Sequence, residues 1–364
     1  MILDRYFARR FLWTFAGVFG VFVIILASIG FVEELRRLSN YGASLPEILK
    51  LSALSLPEAI YAILPLVMII SAIALFLGLA RSSEMVVTRS AGRGALRAMV
   101  PPLLVSLVIG IFAVAVLNPI VATTSRQFEV QFDAIRGEGS VLSIAANGLW
   151  LRQGGPEGQT VIHADGTNLN GTRLSNTTFT NFSSSGRPIQ RISSETAQLL
   201  DGEWLLTNAK IWPLSGDQVP EAAAMLHDTY SIQSSLTPDQ IRDSFGTPSS
   251  IPIWDLPAFI DRLQTAGFSA QRHEVWFQME LAQPLFLVSM VLIGAAFTLR
   301  HQRGGRTGLM VMLAILLSFA IYFLRNFSQI LGENGQIPPI LAAWAPPLAA
   351  IALAMGLLLH NEDG

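Results

Sequence analysis

Six long stretches of this chain contain no Asp, Glu, Lys or Arg, three before a polar insertion and three after it. They run Phe11 to Val32, Ala59 to Ala80 and Ala98 to Ala122, then Leu281 to Leu299, Thr307 to Leu324 and Ile337 to Leu359. A helix needs about 20 apolar residues to cross a hydrocarbon core of roughly 30 Å, so each stretch predicts a membrane span. The expected fold is an α-helical membrane protein of six transmembrane helices, arranged 3+3 around one inserted extramembrane domain. Its expected domain limits are 1–122, 123–275 and 276–364. Composition agrees: 51% of residues are hydrophobic and 14% charged, whereas soluble domains carry about 25% charged residues.

The run after Arg5, Arg9 and Arg10 is too long for a secretory h-region, and no A-x-A pattern follows it, so a retained first span is expected. Arginines also cluster at Arg81, Arg89, Arg93 and Arg97, and at Arg300, Arg303 and Arg306. The positive-inside bias places those segments and both termini in the cytoplasm, and the large insertion outside. The chain has no cysteine, so the external domain must be held by its own core rather than by disulfides.

Within that insertion, short alternating apolar stretches such as Leu149-Trp150-Leu151, Thr160-Val161-Ile162 and Trp204-Leu205-Leu206 lie between turn signals at Gly154-Gly155, Asp165-Gly166, Asn170-Gly171 and Asp201-Gly202. This is the pattern of an all-β domain, read as a sandwich, jelly roll or open barrel. Connecting helices are expected over Ser125 to Arg136 and Leu256 to Glu280, the latter after Pro248 and Pro252.

Several chemistries are missing. Neither lysine, Lys50 or Lys210, follows a glycine, which rules out a G-x-x-x-x-G-K-[ST] phosphate loop. The spans contain no acids of the kind that mark ion-coupled transport or intramembrane proteolysis. His163, His227 and His273 stand singly without H-E-x-x-H spacing, and no G-x-S-x-G elbow accompanies the serines, so neither a metal site nor a catalytic site is expected. Asn170, Asn176 and Asn181 begin N-x-[ST] patterns, which a stretch this rich in Asn, Ser and Thr also yields by chance. Such a chain is a conduit or scaffold rather than a catalyst.

Two segments are more specific. Between spans two and three, residues 81–93 place Met85, Val86 and Val87 between Ser83 and Gly92, which suits a short amphipathic helix with a hydroxyl cap and a glycine stop. Glu84 is the lone acid of this basic loop. It either balances the positive helix end or docks on a partner's arginine. At the exit of span one, Phe31-Val32-Glu33-Glu34-Leu35-Arg36-Arg37 puts arginines on the outer side. They either pair with Glu33 and Glu34 along the helix or receive an anionic headgroup through bidentate hydrogen bonds.

With these fragments in order, the chain resembles the lipopolysaccharide export permeases of Gram-negative bacteria, and the LptG type more than its LptF sibling. The resemblance runs through Leu3-Asp4-Arg5-Tyr6, Phe31-Val32-Glu33-Glu34-Leu35, Arg81-Ser82-Ser83-Glu84-Met85-Val86-Val87 and Ser90-Ala91-Gly92. It continues through Gly148-Leu149-Trp150, Leu236-Thr237-Pro238-Asp239 and Gln283-Pro284-Leu285. It implies a non-enzymatic half-transporter in the bacterial inner membrane, paired with an LptF-like permease. Two copies of an LptB-like ATPase use ATP and Mg, and an LptC-like single-span protein receives lipopolysaccharide through a matching periplasmic jelly roll. No cofactor is expected on this chain, and no nucleic acid among its partners.

By position, the resemblance makes Glu84, with Ser83, Met85 and Arg89, the ATPase-coupling segment, and makes Arg36, Arg37 and Phe31 lipopolysaccharide contacts. Phe319, Tyr322 and Phe323 in span five are acyl-chain lining, or else helix packing. Arg325 is a further headgroup contact, or else an interfacial anchor. Where relatives often place a lysine, this chain has Gly30, so one cargo contact is absent or replaced. Two alternatives remain at this level: an LptF-type subunit, or a non-transporting membrane scaffold with an envelope-binding β-domain.

Overall fold

The structure, a computed structural model, describes residues 2–39, 43–82, 84, 88, 90, 94–136, 142–145, 148–155, 158–167, 172–183, 186–200, 202–214, 220–234, 247–265, 269–298 and 307–362. They form two compact units: Met1–Arg136 with Pro248–Leu256 and Gln271–Gly364, and Gly137–Thr247 with Pro257–Ala270. The described helices are α1 (Ile2–Leu38), α2 (Leu45–Ala62), α3 (Leu64–Arg81), α4 (Ala95–Phe112), α5 (Asn118–Arg136), α6 (Leu256–Thr265), α7 (Gln271–Thr298), α8 (Thr307–Glu333) and α9 (Pro339–Glu362). A π-helical turn at Ala113–Leu117 joins α4 to α5.

Among the described residues of the first unit, six helical segments are long and apolar enough to cross a membrane: α1, α3, the run from α4 into α5, α7, α8 and α9. The 3+3 arrangement is thus borne out. Helix α7 is the hub of the bundle. Of its most apolar stretch 78% is buried, against 17% for α8 and none for α1. Lipid is as apolar as leucine, so close contact rather than water exclusion holds such helices together. Small residues permit that contact: a Cβ added at Gly294 would lie 2.8 Å from Ala72 Cβ, and one at Gly110 2.5 Å from Pro284 Cα.

Helix α2 was not anticipated. It starts where the Glu47 carboxylate accepts from the Ser44 backbone N–H and hydroxyl, both at 2.7 Å. It buries Ile48 and Leu51 against Leu38, with Phe31, Phe128 and Phe132 packed around them. The single helix expected over Leu256 to Glu280 is instead two, α6 and α7.

The second unit is all-β, as expected. Its described strands are β1 (Leu142–Ala145), β2 (Gly148–Gly155), β3 (Gly158–Thr167), β4 (Arg173–Ser183), β5 (Pro188–Leu200), β6 (Glu203–Pro213) and β7 (Met225–Gln233). They form one antiparallel sheet in the order β1-β2-β3-β4-β5-β6-β7. The described strands do not confirm the jelly-roll detail: a jelly roll interleaves strands through Greek keys, whereas each described strand here pairs with its sequence neighbour. The sheet nevertheless curls, because Gln153 of β2 donates to the Gln233 carbonyl at 3.1 Å and accepts from Ser234 Oγ at 2.9 Å.

A line of irregularities causes part of that curl. Buried positions run 204, 206, then 209, 211 in β6, and 174, then 177, 179 in β4, so the inward parity changes mid-strand. At the changes sit Asn208 (φ 53°) and Asn176 (φ 49°), in the left-handed region that asparagine tolerates better than most residues. Both halves of each strand thereby keep apolar residues on the inner face. Ile162, Leu174, Phe179, Ile192, Trp204 and Leu206 form that core, which Leu263, Phe259 and Ile260 of α6 cover.

Candidate functional site

Helix α1 holds the residues of greatest interest near its two ends. Near its start, Arg10 Nη1 donates to both Glu84 oxygens, at 2.6 and 2.5 Å. Tyr6 Oη donates to Glu84 Oε2 at 2.8 Å, and Ser82 Oγ to Oε1 at 2.7 Å. Glu84, Thr88 and Ser90 are helical, and the Thr88 hydroxyl donates to the Glu84 carbonyl at 2.8 Å. The other expected coupling residues, Ser83, Met85 and Arg89, lie outside the described residues. Burial alone would push the Glu84 carboxyl up, but the hydrogen bonds from Arg10, Ser82 and Tyr6 outweigh it and hold the group below the usual carboxylate range. An arginine partner for Glu84 was expected from another protein; here one comes from the same chain. Arg10 and Tyr6 were missed as partners, although Arg10 is the last charge before the first apolar run.

At the far end of α1, Arg37 pairs with Glu33 at 3.2 Å and approaches Glu34 at 3.8 Å. Arg36 is exposed and has no ion pair among the described residues. Arg37 therefore makes the pairing along the helix that the sequence allowed. Glu34 is 4% exposed, and its Oε2 finds no hydrogen-bond donor among the described residues. Phe31 packs beside Leu38, Ile48 and Leu51, so its ring belongs partly to the α1–α2–α5 junction. A Cβ at Gly30 would meet only Ser52 Oγ, at 3.8 Å, so the position has room for a side chain.

On α8, Phe319 and Phe323 are 68% and 65% exposed, and Phe327 extends their stripe by one further turn. Tyr322 instead packs against the bundle core. Together with Leu66, Ile69, Met290 and Ile315, Phe319 and Tyr322 line an apolar cleft of about 230 Å³. Arg325 turns inward and donates from Nη2 to Gln283 Oε1 at 3.0 Å. Among the described residues no group of three His, Asp or Glu is placed to hold a metal.

The chain matches the family model for lipopolysaccharide export system permease LptF/LptG over residues 5–360. It is 24% identical over 368 residues to the lipopolysaccharide export system permease protein LptG of Haemophilus influenzae, covering 99% of both chains. It is 22% identical over 372 residues to the protein of the same name from Escherichia coli, again covering 99% of both.

Proposed function

The chain belongs to the LptF/LptG family of lipopolysaccharide export system permeases, and from that premise we propose that it is the LptG-type subunit of an ATP-driven lipopolysaccharide exporter. It sits in the inner membrane with both termini cytoplasmic and its β-domain in the periplasm. Its partners are an LptF-like permease, two LptB-like ATPases that bind ATP and Mg, and an LptC-like protein that receives the cargo. Relatives named LptG along the full length favour that type over its sibling.

The observation that carries the mechanism is that one helix links the two candidate sites. Glu84 is clasped by Arg10 near the start of α1, and Arg36 and Arg37 lie 26 and 27 residues further along the same helix, about 40 Å at 1.5 Å per residue. Closure of the ATPase pair pushes on the segment around Glu84, and the Arg10 clasp passes that push to α1. Helices α1 and α8 are the spans least covered by the rest of the chain, as the walls of a lateral cavity shared with the second permease must be. Arg36 takes a cargo phosphate there, joined by Arg37 once it exchanges Glu33 for phosphate. Phe319 and Phe323 meet acyl chains, and compression of the cavity sends the cargo outward onto the β-domains.

The test is affinity capture of the tagged chain from its native membranes in mild detergent, with mass spectrometry of retained proteins and glycolipids. A soluble ATPase, a second six-span permease and lipopolysaccharide are expected together. Recovery of envelope proteins without an ATPase would replace the exporter with a scaffold.

A further inference from the structure

A polar cluster deep in the helical unit belongs to neither the coupling nor the cargo site. Glu280 of α7 is 2% exposed, a position where a carboxylate needs hydrogen bonds and a counter-charge. It has both. The Tyr61 hydroxyl at the end of α2 donates to it, and the Asn118 side chain reaches it from the first residue of α5. Arg325 of α8 brings a positive charge to Gln283, one turn along α7 from Glu280. Its guanidinium lies 4.9 Å from the centre of the Phe286 ring and donates to Gln283. Glu280 and Gln283 are at i+3 spacing, so Arg325, on Gln283 and Phe286, sits within one turn of α7 from Glu280.

Asn118 is held in place from a second direction. Its Oδ1 accepts the Ile253 backbone N–H at 2.9 Å, and the Trp254 indole N–H donates to the Ala115 carbonyl at 3.3 Å. In an α-helix that carbonyl would accept from residue 119, but Pro119 has no N–H to give. That carbonyl lies within the π turn at Ala113–Leu117, and such turns gather at functional sites. Buried opposite charges contribute little net stability compared with apolar side chains of the same size. Charges here call for a reason other than cohesion.

We propose that Glu280 is the positioning residue of span five: with Tyr61 and Asn118 it holds Arg325 turned into the bundle, and so sets the stance of α8. Arg325 and Phe323 are two residues apart, about 200° around the helix, so a helix anchored by the first presents the second outward. Drawing Arg325 away, toward a cargo phosphate or with the movement of α8, leaves Glu280 buried beside an unfilled position. That unfavourable state returns α8 to rest. The return stroke rests on the reading of α8 as a cargo wall; the anchoring does not.

The test uses the full-length chain in lipid nanodiscs. With no native cysteine, spin labels at Leu49→Cys on α2 and Phe327→Cys on α8, both exposed, report the stance of α8. Glu280→Gln keeps an acceptor for Tyr61 but removes the charge. It is expected to broaden the spin–spin distance distribution and to lower lipopolysaccharide delivery about tenfold, a change of about 1.4 kcal/mol. The double variant Glu280→Gln/Arg325→Gln leaves neither charge unpaired and is expected to narrow the distribution again. If Glu280→Gln folds poorly, recovery of folded yield by the double variant is the same result. A wild-type distribution for Glu280→Gln, or a double variant as perturbed as the sum of the singles, overturns the proposal. A broadened distance with unchanged delivery keeps the anchoring and removes α8 from the cargo path.

Discussion

A single carboxylate, Glu84, shows how far one residue's environment departs from its sequence context. In the sequence it is the lone acid of a basic loop; in the fold it is gripped by Arg10, Tyr6 and Ser82. The Arg10–Glu84 pair is about one-third exposed on each side, so solvent screening limits it to about 1 kcal/mol or less of stability. Its value lies in geometry. Glu84→Gln is therefore expected to leave the melting temperature near that of the parent while cutting co-purification of the ATPase about tenfold, a change of about 1.4 kcal/mol. Arg10→Gln is expected to weaken co-purification less, because the carboxylate remains but is no longer oriented. Equal recovery of the ATPase from parent and Glu84→Gln membranes would remove Glu84 from the coupling contact. Because the folded pKa is depressed, the pair's contribution is complete above the unfolded carboxylate value of about 4.3 and fades only as pH falls through the lower folded value. Capture experiments between about pH 6 and 8 should show no pH dependence from this pair.

At the scale of elements, helix packing depends on a few contacts too close for larger side chains. Gly294 of α7 faces Ala72 of α3 with no space for even a Cβ, so Gly294→Leu is expected to destabilise the bundle by about 1–3 kcal/mol. Thermal melting of the detergent-solubilised chain measures this, and an unchanged midpoint would mean that α3 and α7 are not so tightly apposed. The spans were legible because a run of uncharged residues has few other uses. The β-domain was legible from alternation and turn signals, but its connectivity was not. Alternation gives the facing of residues, whereas the meander order comes from pairings between strands, and at Asn176 and Asn208 the alternation itself breaks. Helix α2 was hidden because Leu45–Ala62 mixes Lys50, Glu47, Glu58 and the internal Pro57 into an apolar background. Its role shows only where Leu38 and the Phe128–Phe132 stack close over it.

For the whole molecule, the candidate sites were partly legible and their connections were not. Glu84, Arg36 and Arg37 stood out because their charges were unusual for their position along the chain. Arg10 and Glu280 were overlooked because each looks like an ordinary boundary charge until a partner from a distant segment is beside it, 74 residues away for Arg10 and 219 for Glu280. Those long-range contacts turn six spans into an assembly in which α1 carries the Arg10–Glu84 clasp near one end and Arg36 and Arg37 near the other. Helix α8 shows its aromatic stripe on the side away from Arg325. The most direct test of cargo passage along these walls is site-specific photocrosslinking in living cells, with a benzophenone amino acid at Phe323, Phe319 or Arg36 and a control at Leu292, which is 3% exposed inside the bundle. Crosslinks to lipopolysaccharide at the first three positions and none at Leu292, abolished when the ATPase is inactivated, are the expected result. Crosslinks only to phospholipid, or lipopolysaccharide crosslinks equally strong at Leu292, would contradict the assignment of α1 and α8 as the cargo path.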